Sequence, residues 1–242
     1  MSDLLNRMTS PLKLAAVVIV AGALTSVADG AVYVDLTNTD RGTTTSGNWN
    51  NFAQSNSFRY GTTGPYTIST NLVDETGAST GWSLVTNNAG NSSGSAGERY
   101  TGGAIGSFAA SATIDSFFSA GGSNVSFTFS GLSPTDTYNL AFVSAANAKG
   151  DGTPFTTTAN TIFAVNGVDV GSINPSTNTG TLVTATDVAP NSSGQIVFTF
   201  RGSNGGVGLL NAFSIAAVPE PTSLGVLGVG AAGLLARRRA RD

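Results

Sequence analysis

The sequence predicts an all-β protein, an antiparallel two-sheet β-sandwich of jelly-roll type, and three observations carry that prediction. Short runs alternate apolar and polar residues, as in "NVSFTFS" (124–130), where Val125, Phe127 and Phe129 fall on one face and Ser126, Thr128 and Ser130 on the other. Clusters of Gly, Asn, Ser and Thr punctuate the runs, and Gly alone fills 31 of 242 positions. The strong helix formers Lys, Glu, Gln and Met are scarce while Phe occurs 13 times, which favours strands over helices and a buried core over disorder.

The first element in chain order stands outside the sandwich. Arg7 and Lys13 form a positive segment, Leu14 to Leu24 is an unbroken apolar run, and small residues follow at 26–28 and 28–30. This order predicts a secretory signal helix over residues 1–30, and an apolar run this short falls below the roughly 20 residues a membrane span requires.

A domain over 31–217 follows. Strands are expected in "AVYVDL" (31–36), "YTISTNLV" (66–73), "WSLVT" (82–86), "NVSFTFS" (124–130), "TYNLAFVSA" (137–145), "TIFAV" (161–165), "TLVTATDV" (181–188), "QIVFTFR" (195–201) and "LNAFSIAAV" (210–218). Asn166-Gly167 between two apolar runs predicts a tight hairpin, because both turn positions need a positive φ. The stretches 38–57, 88–107 and 146–160 are rich in Gly, Asn, Ser and Thr and are expected to be loops.

Charge and composition narrow the function classes. Charged residues make up 10% of the chain, against a typical share of about 25%. Residues 29–217 hold five basic and eleven acidic side chains, five minus eleven or −6, which argues against nucleic acid and anionic headgroups as partners. With neither His nor Cys, the chain excludes Ser-His-Asp and Cys-His nucleophiles and His- or Cys-ligated zinc. No cofactor is expected beyond a structural Ca²⁺, for which Asp35, Asp40 and Asp151, with Asn38, are candidate ligands; turn-forming Asx residues explain the same pattern.

The C-terminal segment 218–242 is built in three parts. Pro219-Glu220-Pro221 stops the last strand, Thr222 to Ala236 carries no charge, and Arg237, Arg238, Arg239 and Arg241 close the chain. As a helix the uncharged part would be about 22 Å long, short of a hydrocarbon core of about 30 Å. The arginines keep this end cytoplasmic and leave the domain outside.

This tail closely resembles the PEP-CTERM sorting signal of Gram-negative bacteria. The resemblance implies an exosortase-type membrane peptidase as partner, transient residence at the inner membrane, and delivery to the cell surface, outer membrane or extracellular matrix. An ordinary single-span anchor predicts the same orientation without cleavage. A second resemblance runs through "GNWN" (47–50), "GLSPTDTYNLAFVSA" (131–145), "VNG" (165–167) and "GLLNAFSI" (208–215). These pieces are similar to exported jelly-roll domains of planctomycete-type bacteria with a galactose-binding-like fold.

Two residue sets are candidates for function within the domain. Trp49, flanked by Asn48 and Asn50, offers an aromatic face with amides beside it, the combination that stacks on and hydrogen-bonds a sugar ring; the competing expectation is a lid on the core. Asp74, Glu75, Glu98 and Asp115 are the acids from which a glycan hydrolase would draw its carboxyl pair, though no motif accompanies them and no enzyme is expected. The sequence therefore reads as a surface protein with a structural or adhesive role linked to exopolysaccharide. A carbohydrate-binding module is the alternative, and a hydrolase the second alternative.

Overall fold

The computed structural model describes residues 30–38, 44–54, 64–88, 92–93, 99–119, 121–149 and 152–218. Residues 1–29 of the expected signal segment, the tail from Pro219 onward, Asp40, Glu98 and Asp151 lie outside the described residues. In chain order the strands are β1 (Val32–Asn38), β2 (Asn50–Gln54), β3 (Gly64–Ser69), β4 (Ser83–Asn88) and β5 (Ser92–Ser93). A short helix α1 (Ala110–Ile114) precedes β6 (Phe117–Ser119), β7 (Val125–Ser130), β8 (Thr137–Val143), β9 (Thr161–Val165) and β10 (Val168–Ile173). The last four are β11 (Val183–Val188), β12 (Ile196–Gly202), β13 (Gly208–Leu210) and β14 (Ala212–Val218).

Two sheets form the sandwich, ordered β11-β8-β14-β1-β2 and β10-β9-β12-β7-β4-β3, with a small β13-β6-β5 ribbon beside them. The chain passes back and forth between the sheets, so most neighbours in a sheet are distant in sequence. Alternation decides which side chains fill the space between sheets. Val32, Val34 and Leu36 of β1 meet Phe127 and Phe129 of β7 and Phe198 and Phe200 of β12, all of them buried. Phe198 is central: its ring lies 4.8 Å from those of Phe127 and Phe213 and 5.0 Å from that of Phe142. Burying a side chain of this size contributes about 3 kcal/mol, and tilted or offset aromatic pairs add roughly 1 kcal/mol more.

The expected β9–β10 hairpin is present, with Asn166 at φ 48 and Gly167 at φ 82 between paired Val165 and Val168. Asn166 also extends the sheet: its backbone N–H donates to Val197 O at 2.7 Å, and its Oδ1 accepts the Val197 N–H at 3.1 Å.

Three departures from the sequence reading matter for the site. β2 lies in a stretch expected to be loop, and it pairs in parallel with β1, from Val34↔Asn50 to Asn38↔Gln54. Apart from that pair, the named ladders are antiparallel. The segment 99–119, partly expected as loop, folds over the outer face of the five-stranded sheet. There Tyr100, Ile105, Phe108 and Ala112 build a second apolar cluster with Val143, Ala145 and Ala212. The outward positions of β1, which alternation alone would assign to water, are therefore covered.

Candidate functional site

Tyr33, Asp35 and Thr37 alternate with the core residues of β1 and point away from the sandwich interior, toward α1 and the segment that carries it. Loop 44–49 returns the chain from the end of β1 to the start of β2 and is fastened by side-chain amides. Asn51 Nδ2 donates to Thr45 O at 2.9 Å while Thr45 N–H donates back to Asn51 Oδ1 at 2.8 Å. Asn48 Nδ2 donates to Glu75 O at 3.0 Å. Asn50 Nδ2 donates to Tyr33 O and Val73 O at 3.0 and 2.8 Å, and its Oδ1 accepts the Val73 N–H at 3.0 Å.

On this fixed loop Trp49 sits half-buried, its ring 5.1 Å from Tyr33 and 6.2 Å from Phe108. Tyr33 in turn meets Phe108 edge-on at 5.6 Å. Trp49 thus closes the outer cluster, as a lid would, and keeps part of its surface in solvent beside half-buried Tyr33. Of the two amides expected to flank it as ligand contacts, Asn50 is committed to the scaffold through both amide hydrogens. Asn48 stays exposed, whereas Asn51, though exposed, is committed to the Thr45 and Trp49 backbone. Tyr33 was not singled out in the sequence, although its outward place in "AVYVDL" was readable.

Asp35 lies under α1, 1% exposed, and accepts the Thr45 N–H on Oδ2 at 3.0 Å. Burial pushes its carboxyl up to about 7, against the pull of the Thr45 hydrogen bonds and with the help of the nearby Asp115 charge. Asp115 is equally buried. Among the described residues no three acidic, His or Cys side chains gather as a metal-binding group, and Asp35 faces α1.

Of the carboxylates considered for hydrolysis, Asp74, Glu75 and Asp115 lie among the described residues. Asp74 Oδ1 accepts the Thr76 hydroxyl at 2.6 Å and the Thr76 and Ala78 N–H groups at 2.9 Å, which hold its carboxyl below the usual range. It also accepts the Gly30 N–H, whereas Asp115 lies near Asp35.

Asn211, between β13 and β14, was also missed as a site residue although it stands in the "GLLNAFSI" stretch. Its Nδ2 shares two hydrogens among Thr113 O, Asp115 O and Ala145 O at 2.8, 2.9 and 3.0 Å, and its Oδ1 accepts the Ala145 N–H at 2.8 Å. This one amide fastens the covering segment to the sheet.

Residues 217–239 match the PEP-CTERM protein-sorting motif, so Pro219, Glu220, Pro221 and three of the four terminal arginines lie within it. No curated protein matches the chain. Similar solved structures include a family 35 carbohydrate binding module from Clostridium thermocellum, at 14% identity and a TM-score of 0.32, covering 55% of this chain and 90% of that one. A second family 35 module, from an environmental isolate, has 15% identity and a TM-score of 0.29, covering 56% and 96%. The enzymatically active domain of bacteriophage CBA120 tailspike protein 4 has 16% identity and a TM-score of 0.31, covering 55% and 19%. Likeness at this level bears on neither ligand nor activity.

Proposed function

We propose that the chain is an exported protein, handled at the membrane by an exosortase and retained at the cell surface or in the extracellular matrix, where its β-sandwich has a structural or adhesive role in polysaccharide. The observation that carries this reading is the sorting motif at 217–239, which begins in the last two residues of the final strand of a β-sandwich. The three parts of the tail act in order: the Pro-Glu-Pro element is the extended segment a peptidase grips, the uncharged stretch enters the membrane, and the arginines hold the end inside.

A second reading, a carbohydrate-binding module, is supported by one particular feature. Trp49, on a loop fixed by amide hydrogen bonds, and Tyr33 of β1 hold adjoining ring surfaces, partly in solvent, and Asn48 stays exposed beside them. A rigid aromatic pair loses little conformational freedom on meeting a sugar ring. Co-sedimentation of the purified domain with the host's own polysaccharide tests both readings. Binding that falls at least tenfold in Trp49→Ala supports the module, and binding unchanged in Trp49→Ala leaves the structural role. No binding to any polysaccharide removes both.

A further inference from the structure

We propose that the end of the sandwich from which β14 emerges is an interaction surface for the processing enzyme, which meets the folded domain through a basic face while it holds Pro219-Glu220-Pro221. The inference rests on the sorting reading above. Its first support is register. β14 is an interior strand between β8 and β1, and its ladder with β8 runs without a break from Ala212↔Val143 to Val218↔Thr137. Pro219 is the next residue, so no spacer separates the sheet from the element. Three extended residues reach only about 10 Å, too little to carry an enzyme clear of the strand ends around Val218. Unravelling β14 beyond its half-buried last three residues, Ala216 to Val218, would take Ile215 and then Phe213 out of the core.

The same register states what surrounds that exit. Thr137, opposite Val218, follows Asp136, and in the next strand Val188, opposite Tyr138, follows Asp187. On the other flank Val32 of β1 lies opposite Ile215, and the neighbouring Ala31 O accepts the Glu75 N–H at 2.9 Å. Glu75 and Asp187 are exposed and Asp136 half-exposed. The basic side chains among the described residues stand elsewhere. Arg99 and Lys149 adjoin the Ala148 bridge beyond the far end of β8, and Arg201 sits at the far end of β12, paired with Asp169 at 2.8 Å. The exit is thus negative while the described cations lie away from it. Complementary charge speeds encounter by about tenfold or more.

The test is a double cycle on the full chain in a host that has the enzyme, following C-terminal processing by intact mass in a pulse-chase. One change neutralises the exit, Glu75→Gln with Asp136→Asn and Asp187→Asn, replacements that keep the turns. The other inserts ten Gly and Ser residues between Val218 and Pro219. Neutralisation is expected to slow processing about tenfold without the spacer and to have no effect with it. Processing equally fast with and without the three acids, or slowed equally in both backgrounds, would overturn the proposal. An intact C-terminus through Asp242 in the unaltered chain would instead overturn the sorting reading, and this inference with it.

Discussion

Asn211→Ala is expected to lower the stability of the domain by about 3 to 5 kcal/mol, the range in which a single change is diagnostic of a broken buried network. The side chain is fully buried and serves three carbonyls and one N–H of two other segments. Alanine leaves those groups without a partner in a place water does not reach, at about 1 to 3 kcal/mol each before relaxation. Asn211→Asp keeps the shape, loses the donors and adds a charge near Asp115, so it should fare no better. Chemical denaturation gives the magnitude. Hydrogen exchange gives the location, because the Ala145 amide should lose protection before amides of the core strands β7 and β12. A loss under 1 kcal/mol would mean that the covering segment is held by its apolar contacts alone.

The second large effect is a pH dependence that runs against the usual acid denaturation. Asp35 has a carboxyl raised from 3.8 to about 7 in the folded domain, chiefly by burial. The folded state therefore keeps the proton that the unfolded state releases. The stability held by the protonated form is fully present below 3.8 and is lost as pH rises through about 7. Each pH unit in that window removes up to about 1.4 kcal/mol, and the whole shift amounts to roughly 4 kcal/mol. Asp74 and Asp169 are lowered and act in the opposite sense, since their stabilisation fades as pH falls toward and below the ordinary carboxylate range. The domain should accordingly be most stable near pH 4 to 5. Asp35→Asn keeps an acceptor for the Thr45 N–H, matches the protonated acid in charge, and should raise Tm at pH 8 by about 10 °C with little change at pH 4. Equal Tm shifts at both pH values would contradict the account.

How far the sequence could be read depended on whether the physics was local. Alternation in "NVSFTFS" and "QIVFTFR" depends on neighbours two residues away and identified both strands, with the inward face of the first. Asn166-Gly167 fixed a hairpin through its own backbone preference. β2 was missed because its edge position needs no apolar run, and because it pairs in parallel with β1 across a loop of Asn, Ser and Thr that gives no strand signal. Asp35 read in the sequence as a candidate Ca²⁺ ligand or a turn-forming residue. Only the fold of residues 99–119 onto the outer face of its sheet buries it. Asn211 looks like any strand-edge polar residue until two segments far from it in sequence converge on its side chain. Trp49 was legible as an aromatic among amides, but its partner Tyr33 comes from the pairing of β1 with β2.

The central claim is that the tail is a processed sorting signal. Its direct test is the intact mass of the protein recovered from cells and from culture medium, in strains with and without the exosortase. The account predicts a mature chain that begins near Asp29 or Ala31 and ends near the Pro-Glu-Pro element, found only where the enzyme is present. A C-terminus intact through Asp242 in both strains would contradict it and make the arginine-capped segment a plain anchor.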